Sequence, residues 1–450
     1  MKRRLYAHQI EAFKKLSCHN RFALFMEMRL GKTLVVIRRL SLLKKCRTLI
    51  VAPGSAIGSW EEELEKEGIT DVGVLLGDRK SRVVELSFGK RWNLINKEGF
   101  LALPEISSVP WDALVLDEST FIKNPRAKVT KFFIQHFRST PIKYILTGTP
   151  NPEGDLDLVC QFLFLNGELG GIHNYWTFRD KMCRPGYRKW EYHVTRTGKS
   201  VISHAVKTSS IVVKRSSVGL DVPKVTEART LTFPPVLAKA YKTLERDFVY
   251  ELEGQETEWH IYNTTQYVQL RRMCDGLGAD GSLVWDGKIK EIVDLMKGEL
   301  RGQKVVIWFV FKWSLYYCYT ALSKAGIPVV HMWGDLKRGD REENRRAFQD
   351  GDAQVLLSTC AVAETGTNLS VADTAIYYSE PPGLQTRQQT EDRILVAGSS
   401  VPLLYVCLTT KGGVDRDVHE ALKYKAWRSD KTLKHALIET VRSRVCDEDN

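Results

Sequence analysis

Short apolar runs bounded by polar turns recur along this chain with helix-like stretches between them. The alternation occurs twice, once before about residue 200 and once after about residue 300. The runs lie at 22–25, 48–52, 113–116, 143–146, 305–309, 355–358 and 374–378. A continuous apolar run suits a strand buried on both faces. Strands alternating with helices, of which 31–45 and 338–349 are the plainest, suit parallel sheets covered by helices. The expected fold class is therefore α/β, with two lobes, each a mostly parallel sheet flanked by helices.

At 450 residues the chain exceeds one ordinary domain. The stretch 209–235 lacks a long apolar period and holds Pro223, Pro234 and Pro235, so it reads as a connection. The expected division is a first lobe at 1–212, an interlobe connection at 213–235, and a second lobe at 236–450. A helix over 238–248 opens the second half, and terminal brace helices run over 415–445. The segment 184–199 is basic and laced with Tyr187, Trp190 and Tyr192, and reads as an inserted hairpin or loop that could touch nucleic acid.

Composition narrows the partners. With 43% hydrophobic residues each lobe can bury a full core. Lys and Arg total 66 against 54 Asp and Glu, a formal +12 that favours an anionic partner. None of the nine cysteines is spaced as Cys-x-x-Cys, which argues against structural zinc, and their odd number suits free thiols in a reducing compartment. The N-terminus is basic without a following apolar stretch, and the longest apolar run, 305–311, is far too short to span a bilayer. A soluble, cytoplasmic protein without signal peptide, transmembrane segment or membrane partner is expected.

Met28-Arg29-Leu30-Gly31-Lys32-Thr33 follows the run at 22–25 and opens a helix. A strand feeding a helix N-terminus aims backbone N–H groups at one point, where phosphate can sit. Lys32 would neutralise β- and γ-phosphates, and the Thr33 hydroxyl would complete a Mg²⁺ shell. The strict phosphate-loop pattern has a further Gly where Met26 stands, so the same residues also suit a plain helix start. Asp117 and Glu118 end the run at 113–116, where buried carboxylates are costly without a cation or hydrogen bonds. Asp117 suits Mg²⁺ and Glu118 suits activation of water, although an N-cap pair for a following helix has the same sequence. Thr147 and Thr149, in Leu146-Thr147-Gly148-Thr149-Pro150, could sense a γ-phosphate, or form a simple turn.

These segments, in this order, resemble superfamily 2 helicases and more closely the Swi/Snf-type ATPases, the motors of chromatin remodellers and annealing helicases. The resemblance spans 5–425. It includes Leu5-Tyr-Ala-His-Gln9, the 28–33 loop, Leu49 to Pro53, Asp117 to Thr120, Lys123-Asn124-Pro125 and the 146–150 turn. At the lobe junction it includes Lys214-Arg215 and the 220–224 segment, and beyond it the strand-Thr-Gly-x-Asn-Leu stretch ending at Leu369, and Gln389-Thr-Glu-Asp392-Arg393.

The resemblance implies two RecA-like lobes, ATP and Mg²⁺ as cofactors, and DNA as partner, duplex or forked, with RNA left open. It implies that Gln9 reads adenine, that Arg29, Leu30, Gly31, Lys32 and Thr33 surround the phosphates, and that Thr33 and Asp117 serve Mg²⁺. Arg393 would reach the γ-phosphate as an arginine finger, with Gln389 beside it. Pro53 and Ser55 in the first lobe, and Thr359, Thr367 and Asn368 in the second, would hold the nucleic-acid backbone. A compact bacterial or viral monomer, acting in a bacterial cell or an infected host, completes the expectation.

Two positions depart from the family pattern. Arg29 replaces a usual Gly, which a negative φ would tolerate or an added phosphate contact would explain. Val396 stands where the family has a second Arg, and Arg387 is the candidate substitute. A single-lobe kinase or GTPase explains neither Arg393 nor the second set of strands. An ATP-binding nucleic-acid clamp with weak turnover is the alternative that Val396 motivates.

Overall fold

Helices and strands alternate through both halves of the computed structural model, which describes residues 3–54, 56–152, 154–186, 192–254, 262–334, 336, 338–363, 368–381 and 383–423. The chain divides into two units, Met1–Asp221 and Val222–Asn450. The first contains β1 (Arg21–Met26), β2 (Thr48–Ala52), β3 (Val72–Leu75), β4 (Trp92–Asn96), β5 (Ala113–Asp117), β6 (Ile142–Thr147), the short pair β7 (Cys183–Pro185) and β8 (Tyr192–Val194), and β9 (Ser210–Val213). The second contains β10 (Lys224–Leu231), β11 (Val305–Phe309), β12 (Val329–Met332), β13 (Val355–Thr359), β14 (Thr374–Tyr377) and β15 (Leu403–Thr410).

The first sheet has the order β3-β4-β2-β5-β6-β1-β9 and the second β10-β15-β14-β11-β13-β12. Every pairing in both is parallel, as the apolar runs predicted. Side chains alternate between faces, so each sheet feeds two cores. In the first, Leu49, Val51, Leu114 and Leu116 enter one core, while Ile50, Ala52, Ala113 and Val115 enter the other. In the second, Val306 and Trp308 face away from Val305, Ile307 and Phe309. Each unit thus has the helix-covered parallel sheet of a RecA-like lobe.

Register places the chemistry. Asp117 pairs with Leu146 and Phe25 with Thr147, so β5, β6 and β1 end together at one edge of the sheet. Ligands in open α/β sheets gather at such carboxyl ends.

Much of the stretch expected as a connection is strand. β9 joins β1, and β10 lies against β15 over its whole length. β10 is almost entirely exposed, so its sequence carries no apolar run by which to see it. The segment 184–199 is part hairpin, with Cys183–Pro185 antiparallel to Tyr192–Val194, and part helix. That helix, Arg196–Ser209, begins where the Thr195 hydroxyl accepts the Gly198 N–H, as an N-cap does. Tyr187, Trp190, and the brace helices beyond 423 lie outside the described residues, and Asp415 belongs to the helix Val414–Lys423. No helix among the described residues is long and apolar enough to cross a membrane.

Candidate active site

Between β1 and the helix Lys32–Ser41 the chain turns through a tight loop with two left-handed residues, Arg29 at φ 65° and Gly31 at φ 76°. Glycine is required at 31 for a second reason. A Cβ there would stand 2.2 Å from Gln9 Nε2. Arg29 does not have the negative φ that would make its side chain free of cost, and holding a non-glycine residue there costs about 1–2 kcal/mol. The loop is braced from the N-terminal helix Ala7–Cys18. Gln9 Nε2 donates to the Leu30 carbonyl at 3.1 Å, His8 Nε2 lies 3.1 Å from the same oxygen, and Gln9 Oε1 accepts the Tyr6 N–H at 3.0 Å. Gln9 is therefore a strut of this loop, and its amide retains further hydrogen-bonding capacity.

Lys32 folds back over the loop, its ammonium donating to the Met26 carbonyl at 2.8 Å. Thr33 follows it in the first turn of the helix. At the neighbouring strand end, Asp117 accepts the Trp60 indole N–H at 2.8 Å and the Glu118 N–H at 3.0 Å. Burial raises the Asp117 carboxyl above its ordinary range, opposed by the Trp60 hydrogen bond and the Lys32 charge. A desolvated carboxylate beside an ammonium, with a hydroxyl at a helix start, is a donor set of the kind Mg²⁺ takes when it keeps most of its waters. ATP and Mg²⁺ thus fit the residues present.

Glu118 adopts a left-handed conformation, φ 50°, at the end of β5. This turns its side chain toward β6, where Thr147 Oγ1 donates to Glu118 Oε2 at 3.2 Å. The Thr149 N–H in turn donates to Thr147 Oγ1 at 3.1 Å. A Cβ on Gly148 would lie 3.3 Å from the Met28 nitrogen, so the 146–150 turn packs directly on the phosphate loop. Lys32, Asp117, Glu118, Thr147 and Thr149 are therefore brought to one sheet edge.

Sequence reasoning missed two residues here and gave a third, Arg215, no role in the loop. Trp60, from the helix Ile57–Lys66, orients Asp117, and only its isolation among charged neighbours hinted at a role. Gln161 is fully buried in the helix Asp157–Asn166, between apolar runs on either side. Its amide accepts the Ser119 hydroxyl at 2.7 Å and donates to the Pro150 carbonyl at 2.7 Å, joining the ends of β5 and β6. An amide in the middle of an apolar run was the available signal. Arg215 reaches Glu27 at 3.3 Å and donates to the Met28 carbonyl at 3.4 Å, tying the loop to the strand that leaves the first sheet.

Of the nucleic-acid candidates, Pro53 begins the turn after β2, its carbonyl accepting the Ala56 N–H at 2.8 Å. Thr359 ends β13, and Asn368 Oδ1 accepts the Ser370 N–H at 3.3 Å. Ser55 and Thr367 lie outside the described residues.

Gln389 and Arg393 lie in the second unit, on the helix Leu384–Ile394, and both are buried. Arg387, the candidate substitute for a second arginine, has partners of its own in the second unit. Its guanidinium pairs with Glu380, pairs with Glu391 at 3.0 Å and stands 3.5 Å from the Tyr377 ring centre. Val396 is 46% exposed just beyond that helix.

Residues 8–278 match the family model described as the SNF2-related domain, and residues 287–398 match that of the helicase conserved C-terminal domain. The chain is 23% identical over 420 residues to the SWI/SNF-related matrix-associated actin-dependent regulator of chromatin subfamily A-like protein 1 of Xenopus tropicalis, covering 89% of this chain and 42% of that protein. It is 25% identical over 435 residues to subfamily A member 1 of Homo sapiens, covering 89% of this chain and 40% of that protein. The chain thus spans less than half the length of these relatives. Among solved structures, it is similar to the Sulfolobus solfataricus SWI2/SNF2 ATPase core in complex with dsDNA, at 22% identity and a TM-score of 0.46, covering 98% of this chain and 95% of that one.

Proposed function

The chain belongs to the SNF2-related family, and on that premise we propose that it is an ATP-hydrolysing motor that moves along duplex DNA or remodels and reanneals forks. The observation that carries this reading is the Thr147–Glu118 hydrogen bond beside the phosphate loop. It sets a carboxylate able to take a proton from water at the same sheet edge as Lys32. Lys32 and the N–H groups of the first helical turn bind the phosphates, and Gln9 offers its remaining amide capacity to adenine. Thr33 and Asp117 would hold Mg²⁺, which when bound supplies charge neutralisation to the phosphates. Glu118 orients and deprotonates the attacking water. Arg393, with Gln389 beside it, comes from the second lobe to stabilise charge on the transferred phosphoryl group.

Nucleic acid is held through its backbone, by Pro53 and Ser55 in one lobe and Thr359, Thr367 and Asn368 in the other, which reads no sequence. Alternating grip between lobes, driven by ATP binding and hydrolysis, moves the strand. Cytoplasmic action as a monomer belongs to the same reading.

Phosphate release measured with duplex DNA, single strands, forks and RNA tests it. Strong stimulation by duplex or forked DNA is expected, and Lys32→Ala and Glu118→Gln should abolish turnover while leaving the melting transition in place. Parental rates in either variant, or indifference to every nucleic acid, would overturn the assignment.

A second reading, an ATP-dependent clamp with weak turnover, is favoured by Val396 together with the commitment of Arg387 to its ion pairs. Tight ATP binding without DNA-stimulated release would establish it.

A further inference from the structure

The helix Leu384–Ile394 is docked in an unusual way. Between Leu384 and Ile394 it has no apolar residue to form a stripe, yet Arg387, Gln389, Thr390, Asp392 and Arg393 are all buried. Its inner face is held by directional polar contacts. The Thr390 hydroxyl lies 2.7 Å from the Tyr377 hydroxyl, the Glu391 carbonyl accepts the Tyr405 hydroxyl at 3.1 Å, and the Glu391 carboxylate takes Lys224 at 2.7 Å. Arg387 stacks on Tyr377 and pairs with Glu380, which stands just after β14.

Glu380 gathers more than this one partner. Its second carboxylate oxygen lies 2.8 Å from His419 Nδ1, on the helix Val414–Lys423. Its backbone carbonyl accepts from Arg271, on the helix Tyr262–Cys274. Burial works to raise this carboxyl, but the Arg387 charge and the His419 contact overcome it and hold the group below the usual carboxylate range. Glu380, Cys407 and His419 are close enough to share a cation. The Arg387 guanidinium already occupies that neighbourhood, 3.6 Å from Cys407 Sγ, and serves as the counter-charge.

An apolar stripe tolerates rotation of a helix about its axis, whereas a stacked and forked guanidinium fixes its azimuth. We propose that Glu380 is a positioning residue for hydrolysis: through Arg387 it sets the rotation of the helix Leu384–Ile394, and so the direction in which Arg393 and Gln389 are presented. The inference rests on the reading of Arg393 as the finger and adds to it the residue that aims the finger.

A double-mutant cycle on the full chain tests this, with single-turnover ATP hydrolysis at saturating duplex DNA as the readout. Arg393→Ala is expected to slow hydrolysis at least a hundredfold. Glu380→Gln keeps the shape but removes the charge. It is expected to slow hydrolysis about tenfold while ATP affinity changes less than threefold, and to have no further effect in the Arg393→Ala background. An equal loss in both backgrounds would show a merely structural role and overturn the inference while leaving the finger intact. A parental rate for Arg393→Ala would instead overturn the finger reading and this inference with it. If Glu380→Gln melts below the assay temperature, Arg387→Lys, which keeps the charge but loses the fork and the stack, carries the same expectation and the same overturning result.

Discussion

The Thr147 hydroxyl donates to the Glu118 carboxylate at 3.2 Å, and the same oxygen accepts the Thr149 N–H at 3.1 Å. One buried hydroxyl therefore orients the proposed base and pins the turn that packs on the phosphate loop. Thr147→Val keeps the volume and removes both contacts, leaving the half-buried Thr149 N–H without its acceptor. We expect a stability loss of about 1–3 kcal/mol and a fall in kcat of roughly ten- to a hundredfold, since general-base contributions are of order 10²–10⁴. The KM for ATP should hardly move. Thr147→Ser restores the hydroxyl and should recover most of the rate; if it does not, orientation of Glu118 is not what Thr147 supplies.

Arg29 sits at φ 65° in the loop that holds Lys32. Arg29→Gly relieves the strain but gives the unfolded chain more freedom, so the net stability change should stay within about 1 kcal/mol. Arg29→Val, β-branched at the same φ, should be the more destabilising. If Arg29 contributes a phosphate contact, the glycine variant will bind ATP several-fold more weakly at unchanged kcat. Unchanged ATP affinity would reduce Arg29 to a strained bystander, and thermal melting with nucleotide titration separates the two outcomes.

Lys143 is buried, donates to the Phe164 carbonyl at 2.7 Å and the Arg138 carbonyl at 3.2 Å, and lies among other cations. Burial first, then the Arg21 and Arg138 charges, push its ammonium down to about 7 from an ordinary 10.5. Between those values the unfolded chain binds the proton that the folded chain has released, so stability contributed here rises with pH through that window. Below about 7 the penalty for charging the buried amine is present in full. Melting temperatures from pH 7 to pH 10 should show the parent gaining relative to Lys143→Met, at roughly 2–4 °C per kcal/mol for a lobe of this size. Parallel curves for the two proteins would show that Lys143 keeps an ordinary proton affinity.

The fold was legible wherever burial made strands apolar on both faces. β2 and β11 have the limits their runs predicted, and β1, β5, β6 and β13 extend them by only a residue or two. β3 and β4 carry Gly73 and Asn93 within them and broke the pattern, while β10 is an exposed edge held by backbone pairing and by polar side chains such as Lys224 and Arg229. β15 has an apolar run as plain as the others. In the site, residue types and strand ends were enough to find Lys32, Asp117, Glu118 and Thr147, because acids and hydroxyls closing apolar runs are conspicuous. Trp60 and Gln161 were not found, and Arg215 was seen only as part of a motif without a role in the loop, because they act through long-range hydrogen bonds and ion pairs that no local period encodes.

Val396 offers the most direct test of whether a second positive charge limits turnover in the proposed motor. It follows the helix Leu384–Ile394 at 46% exposure, and its carbonyl accepts the Ser399 N–H at 3.0 Å, a contact any side chain leaves intact. An exposed replacement of this kind should change stability by no more than about 0.5 kcal/mol. Arg387 cannot move to compensate without abandoning buried Glu380 and half-buried Glu391, so position 396 is the place to supply the second positive charge. Losing one preorganised donor at a developing charge typically costs about 2.7–4 kcal/mol in the barrier. Val396→Arg should therefore raise DNA-stimulated hydrolysis at least tenfold, with ATP affinity little changed. That gain should vanish when Glu118→Gln is added, because the new charge can only stabilise a transfer that the base has begun. A Val396→Arg rate equal to the parent's would mean that the valine does not limit turnover, and the weak-clamp reading would lose its motive.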